Sequence, residues 1–488
     1  MKKAIKLMLL LAAVGAMATG CGKEDKKAGG DEPVTYNTAI LYNEQHSSYD
    51  KKAEARRQEI LDMTDTVKPS TIGATYYVSF NGDDNNDGLT PETAWRSPGR
   101  VSQSAEAEEF IEGDVVLFER GGVYRGVITL TSGVTYGAYG EGVKPCLYGS
   151  LQNYAKENWW ESTEDENVWK ITIGEMSDVG NLVFNYGEEC ATKKVKYKLQ
   201  KDLDFYHDIE AGELYLYLSS GNPGTVYSDI EICSNDHIMY GGRNAHDIFI
   251  ENLCLKYTGA HAICFSNGSS RITVQGCEIG YVGGSMLGGQ NVRYGNGFEV
   301  VDNCDTIIVK DNWVYQCFDA GVTHQSSNPS GCQQKNITFS DNLIEYCNYN
   351  IEYYVDSENG RMENIVYENN ILRFAGYGFG SVNRIGSDTS VVSNICCYVR
   401  SMHSKNFVIR NNVMDSPLRF HTTIGCPNDT VNNLGPVIEG NAYIQQEDEV
   451  AIILSNGTVK MTLWAENQEE LEEAIAQIDK APASVTFE

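Results

Sequence analysis

A short pattern returns along the second half of this 488-residue chain: apolar-x-apolar-x-x-Asn, with a further apolar residue one or two places on. It reads Ile307-Ile-Val309-Lys-Asp-Asn312, Ile337-Thr-Phe339-Ser-Asp-Asn342, Ile365-Val-Tyr367-Glu-Asn-Asn370 and Phe407-Val-Ile409-Arg-Asn-Asn412. Alternation with a period of two makes each unit a strand, and a repeat of 28 to 42 residues is too short to be a domain. Each strand must then bury its face against the strands of neighbouring repeats, which is a solenoid.

In a parallel coil every turn restarts at the same place. Identical residues then stack about 4.8 Å apart, close enough for one Asn side chain to bond to the next. Asn312, Asn342, Asn370, Asn412 and Asn441 are expected to form such a ladder, with Leu253 and Cys277 taking the equivalent places upstream. The spacing favours this over a reading in which each Asn only marks a turn.

Two further segments are Thr75-Tyr-Tyr-Val-Ser-Phe-Asn-Gly-Asp-Asp-Asn-Asn-Asp-Gly-Leu-Thr-Pro-Glu-Thr-Ala-Trp95 and Glu112-Gly-Asp-Val-Val-Leu-Phe-Glu-Arg-Gly-Gly122. With the ladder, they make residues 75–445 resemble right-handed parallel β-helix proteins of the pectate-lyase-like superfamily. The resemblance implies an all-β fold, a right-handed parallel β-helix, and a carbohydrate as the usual substrate. It does not fix the reaction, which has to be argued from a site.

The ends of the chain bear on location. Lys2, Lys3 and Lys6 precede an apolar run from Leu7 to Ala18, and Ala18-Thr-Gly-Cys21 looks like a bacterial lipoprotein cleavage box. Cys21 is the expected lipidation point, which would tether the protein to the outside of a membrane by a polar leash. The formal net charge of -29 repels nucleic acid and offers no broad basic surface to a polyanion, so a neutral or weakly charged glycan is the favoured partner. Of 14 Cys, 13 remain after lipidation, with no CxxC pair. They read as small buried hydrophobes, not as a disulfide framework or a zinc site.

The expected layout is a signal peptide over 1–21, a linker and cap helix over 22–74, the start of the β-helix over 75–144, an inserted antiparallel β-subdomain over 145–235, the main β-helix over 236–445, and a strand and helix cap over 446–488. The helix within 50–64 is expected to cover the open end of the first coil, whose strand edges would otherwise invite aggregation. Leu471, Ile475 and Ile478 recur at helical spacing near the other end. The cluster Asp83, Asp84, Asn85, Asn86 and Asp87 reads as a turn bonding to itself, with calcium as the alternative. Otherwise no metal or cofactor is expected, and the protein is expected to act as a monomer.

A second register supplies candidate chemistry. Gly297-Phe298-Glu299, Gly321-Val322-Thr323, Asn350-Ile351-Glu352, Gly378-Phe379-Gly380 and Arg419-Phe420-His421 align as successive turns. If each middle residue points inward, Glu299, Thr323, Glu352, Gly380 and His421 form one outer column, beside a row of Gly that leaves a flat floor. Asp319 precedes Gly321 by two and shares that face. The expected catalytic groups are Asp319, Glu352 and Glu299. Arg293, Tyr294, Arg384, Tyr354, His324, Arg419 and His421 are the expected substrate contacts, His324 only if its strand bends, since it should face inward. Long excursions over 281–296 and 373–405 would wall the site.

Glycoside hydrolysis needs two carboxyl groups flanking the scissile bond, which this face provides. A polysaccharide lyase would instead use an Arg or Lys base near a bound uronate, and a non-catalytic surface protein would use the same carboxylates as hydrogen-bond acceptors for sugar hydroxyls.

Overall fold

The computed structural model describes residues 45–488 except 289–291, 358, 383, 385–391, 400–403, 426–435, 447–449, 456–459 and 480. Cys21 and the lipoprotein segment therefore lie outside the described residues.

The chain is a right-handed parallel β-helix. Three sheets, each of 10 strands among the described residues, run along its axis. The first begins at Thr75–Val78 and ends at Val437–Glu439, the second begins at Val123–Arg125 and ends at Ser484–Phe487, and the third begins at Ile128–Leu130. The third closes with one antiparallel strand, Lys460–Ala465. Inside, residues of one register stack as columns: Ile250, Val274, Val309, Phe339, Tyr367, Ile409 and Ile438 follow one another from strand to strand, all buried. This is the period-two face of the sequence motif, closed against its own neighbours.

The Asn at the end of the motif forms the expected ladder. Asn312 donates from Nδ2 to Asn342 Oδ1 at 3.0 Å, Asn342 to Asn370 at 2.9 Å, Asn370 to Asn412 at 2.9 Å, and Asn412 to Asn441 at 3.0 Å. Backbone N–H groups run in parallel with it: Cys277 donates to Asn312 at the upstream end, and Asn441 donates to Asp479 at the other. The residue before each ladder position explains the rest of the motif. Asp311, Asp341, Asn369 and Asn411 all have φ between 56° and 57°, a left-handed conformation that Asp and Asn tolerate better than other side chains. The strand therefore turns a corner there, and the ladder fills the inside of that corner.

Residues 161–234 leave the coil as a mostly antiparallel subdomain of one five-stranded and one three-stranded sheet. Tyr154, Trp160, Phe184 and Phe205 pack into its own core. Its other role was not foreseen. Ser285 Oγ donates to the Asp178 carbonyl at 3.0 Å, Met286 N–H to Asp178 Oδ2 at 2.7 Å, and Arg293 to the Gly180 carbonyl at 2.9 Å. The subdomain thus buttresses the hairpin Ser285–Met286/Arg293–Tyr294.

The helix Asp50–Leu61 does not cover the end of the first coil. Ala53 and Ile60 pack on Trp313, Tyr315 and Leu343, outside the second sheet, while Arg56 pairs with Asp311 and Arg57 with Glu345. The acidic residues of the middle turns draw it there. The end cap is instead the helix Pro98–Glu106, whose Val101 joins Trp95 and Phe110 in the main core. At the far end Gln468–Ile475 is helical, capped by Asn467, with Leu471 and Ile475 buried. In the acidic turn, Asp83 accepts from Asn85 and Asp87 from Leu89 and Thr93, bonds of the turn itself, while Asp84 accepts from Arg96 and Ser97 of the segment that follows.

Candidate active site

On the third sheet Phe298, Val322 and Ile351 are in register, so Glu299, Thr323 and Glu352 form one outer column as the alternation requires. Beyond Glu352 the register departs from expectation. The next turn is Ile395 with Cys396 outside, followed by Thr422 and Thr423. Gly378-Phe379-Gly380 lies instead at a short helix, Phe379–Val382, with the Phe379 ring 6.0 Å from that of Phe318. The long excursion precedes its strand here, so counting forward from the last turn picked a triplet too early.

The glycines are not a bare floor. A Cβ on Gly297 would lie 2.5 Å from the Gly321 carbonyl oxygen, and one on Gly321 2.5 Å from Ile344 Cγ2. These residues are Gly because the backbone passes too close to its neighbours for a side chain.

Asp319, Glu299 and Glu352 do come together. Asp319 sits at the corner between the strands Trp313–Cys317 and Ala320–Ser326, and Arg384 donates to its Oδ1 at 2.8 Å. The guanidinium groups of Arg293 and Arg384 both lie against the Phe318 ring, at 4.4 and 4.6 Å. Tyr294 meets the His261 ring edge-on at 4.9 Å, and its hydroxyl donates to Asn235 at 2.6 Å. Tyr354 lies two residues beyond Glu352 on the same outward face, half-buried.

Three expected contacts lie elsewhere. His324 is in register with Val300 and Tyr353, fully buried, with ring nitrogens 2.7 Å from Gln334 Oε1 and 2.5 Å from the Tyr367 hydroxyl; its strand does not bend, so it belongs to the interior. His421 is also buried, edge-on to Tyr443, because Thr422 rather than Phe420 is in register with Ile351 and Ile395. Arg419 is exposed at the start of the strand Phe420–Gly425, two strands beyond Glu352.

The two glutamates occupy opposite electrostatic settings. Glu352 is buried, and burial with the charges of Asp319 and Glu299 pushes its carboxyl up to about 8. Gln325 Nε2 at 2.6 Å and Thr323 Oγ1 at 3.2 Å both donate to Oε2, so a proton on this group sits on Oε1. Glu299 is equally buried, yet its pKa is lowered: against the desolvation act His261, electrostatically and by its contact with Oε2 at 2.6 Å, and Asn296, donating to the same oxygen at 2.9 Å. One carboxyl thus keeps its proton at neutral pH and the other stays ionised, the division of labour that acid–base catalysis requires. Asp229 is also pushed up to about 8, but it accepts from the Tyr186 backbone inside the insert, and its neighbour Glu231 forms a two-point pair with Arg125.

Sequence reasoning missed His261, Asn296 and Gln325. A signal for the first two existed. His237, His261 and Asn296 each stand two residues before Met239, Ile263 and Phe298, which are in register. They form a column of their own at the corner leading into the third sheet. With Cys264, the two His bring three potential ligand atoms within 4.8 Å of one another. The hydrogen bonding does not suit a metal, however. His237 Nδ1 accepts the His261 N–H at 3.2 Å and His261 Nδ1 accepts the Asn296 N–H at 2.9 Å, which leaves the hydrogen of each neutral ring on Nε2. A metal-bound imidazole instead donates from its free nitrogen.

No protein-family model and no curated protein matches the sequence. Several solved structures are similar in fold. A structure described as the complex of XylC with xylose has a TM-score of 0.40 at 14% identity, over 78% of this chain and 72% of that one. A glycoside hydrolase has 0.40 at 9% identity, over 85% and 96%. The GH136 lacto-N-biosidase from Eubacterium ramulus has 0.35 at 11% identity, over 90% and 70%.

Proposed function

We propose that the protein is an extracytoplasmic glycoside hydrolase in which Glu352 is the general acid and Glu299 the general base. The observation that carries this reading is the pairing, on one outer column, of a carboxyl that holds its proton with one that does not. Two strand spacings separate the residues by about 9.6 Å at the backbone, which allows carboxyl separations in the range of about 6.5–9.5 Å used by inverting enzymes. In that reaction a water oxygen bonds to the anomeric carbon as the glycosidic C–O bond breaks. The leaving oxygen takes the Glu352 proton and Glu299 takes one from the water, and exchange with solvent resets both groups.

Asp319 contacts the acid electrostatically and Arg384 directly; its place beside Glu352 helps keep the proton there. Arg293, Tyr294 and Tyr354 are the proposed substrate contacts. Tethering through a lipidated Cys21 belongs to the same proposal, and loss of membrane association in Cys21→Ala is its test.

The test of the reaction is turnover of a glycan panel by the purified protein, followed by product chemistry. Release of a reducing end, with the first-formed anomer inverted, supports the reading. In Glu352→Gln and Glu299→Gln turnover should fall by roughly a thousandfold or more with the fold unchanged, since each removes one proton-transfer partner. An unsaturated, ultraviolet-absorbing product would make the protein a lyase, and binding without turnover would make it a glycan receptor; either result removes the proposal.

A further inference from the structure

We propose that His261 and Asn296 are positioning residues, fixing Glu299 as the carboxylate that receives the proton from water by presenting two N–H donors to its Oε2. The inference rests on the glycoside hydrolase reading and goes one step further, since it says how the base is kept in its working state.

The geometry is over-determined. The Asn296 backbone N–H donates to His261 Nδ1 at 2.9 Å, so the neutral ring carries its hydrogen on Nε2, where it meets Glu299 Oε2 at 2.6 Å. The Asn296 side-chain amide donates to the same oxygen at 2.9 Å, and its own Oδ1 accepts the Ala320 N–H at 2.7 Å. That last bond fixes which end of the amide faces the carboxylate. One residue thereby sets the tautomer of the imidazole, supplies the second donor and is itself oriented by the next turn of the coil. Both donors converge on one oxygen, leaving Oε1 for water.

His237 completes the arrangement. Its ring stacks on His261 at 5.1 Å and its Nδ1 accepts the His261 N–H at 3.2 Å. A second proton on His237 would set an N–H against the His261 backbone N–H, and burial pushes that ring down to about 3, so His237 stays neutral as the pH falls. The titratable groups facing Glu299 are His261, His237, Cys264, Tyr294 and Glu352. Only His261 bonds directly to its carboxylate, so removing it should let burial raise Glu299 and carry the acid limb of the pH–rate profile upward.

The experiment compares His261→Ala, His261→Gln and Asn296→Ala with the parent protein. In His261→Ala the acid limb of kcat should move up by one pH unit or more and kcat at pH 5 should fall at least tenfold, with KM changed less than threefold. Gln carries an N–H near the position of Nε2, so His261→Gln should return the limb to within half a unit of the parent. Asn296→Ala, which keeps the backbone donor, should move it by less than His261→Ala. Nitrogen NMR of the histidine-labelled full chain should show the neutral His261 ring as the Nε2–H tautomer. An unmoved acid limb in His261→Ala, no rescue by Gln, or an Nδ1–H tautomer overturns the inference while leaving the hydrolase reading intact. If no glycan is hydrolysed by the parent, that reading fails by itself, and the tautomer together with the carboxyl carbon titration of Glu299 in parent and His261→Ala still decides the positioning.

Discussion

Glu352 is protonated in the folded protein because desolvation, Asp319 and Glu299 all oppose its charge, while Thr323 and Gln325 recover only part of the loss. The sign of the linkage follows. The folded carboxyl binds its proton more tightly than the unfolded one, so its contribution to stability is fully present below the ordinary value of 4.5 and is lost as the pH rises through about 8. Each unit of difference is worth about 1.4 kcal/mol, so the loss across that window amounts to a few kcal/mol. Glu352→Gln has no proton to lose. Its unfolding midpoint relative to the parent should therefore be higher at pH 8.5 than at pH 5, and the parent's activity should fall as the pH passes through about 8, both checked by thermal unfolding and rate measurements over the same buffers. A variant whose relative midpoint does not change with pH would mean that Glu352 ionises normally.

At the scale of the element, the Asn ladder shows what a periodic sequence does and does not reveal. Asn370 is fully buried and takes the Asn342 backbone N–H on Oδ1 at 3.1 Å while donating to Asn412. Removing it orphans polar groups on both neighbouring turns. Asn370→Ala should cost about 2–4 kcal/mol in urea unfolding, from the lost bonds and the desolvated groups left without partners. A second, exposed ladder is the internal control. Asn364 donates to Asn336 at 2.9 Å and Asn406 to Asn364 at 3.0 Å in water, so Asn364→Gly, which keeps its left-handed backbone at φ 57°, should cost under about 1 kcal/mol. Equal costs would mean that the buried ladder marks corners without holding them. The inner ladder was legible because it repeats with the coil and closes a corner every turn. The outer column was legible only through Phe298, Val322 and Ile351. After Ile351 the chain makes its excursion before the strand, and spacing alone carries no information about where in a turn extra residues enter. His261 and Asn296 went unread for a related reason: their column repeats His only once, from His237 to His261, before changing to Asn296, too short a run to stand out as a period.

On the scale of the whole molecule, residues 45–68 form a strap that sequence periodicity could not place, since its binding surface is assembled from distant turns. It starts at the C-terminal turns, where Ser48 N–H donates to Glu488 at 2.8 Å and Ser47 Oγ to Asp415 at 2.6 Å. It then crosses the second sheet as the helix Asp50–Leu61 and reaches the early turns, where Asp65 pairs with Arg120 and Thr66 N–H donates to Glu251 at 2.8 Å. A strand solenoid has contacts only between neighbouring turns, whereas the strap joins turns far apart along the axis. It also covers charges that the sheet cannot neutralise alone: Glu345, 1% exposed at its side chain, is held at 2.8 Å by Arg57, whose guanidinium lies 4.8 Å from the Trp313 ring. Arg57→Met should lower stability by about 1–3 kcal/mol, because Arg373 at 3.3 Å remains as a partner for Glu345. Deleting everything before residue 67 should cost more than the single variant and should change a single unfolding step into separate transitions of different turns, followed by calorimetry and limited proteolysis. A peptide spanning residues 45–68 added in trans should restore the single step in a concentration-dependent way. The carboxyl pair lies on the third sheet, so molecules of the shortened chain that remain folded should keep their pH–rate profile. A shortened chain that unfolds in one step at the parent's midpoint would show that neighbouring turns alone make the coil cooperative.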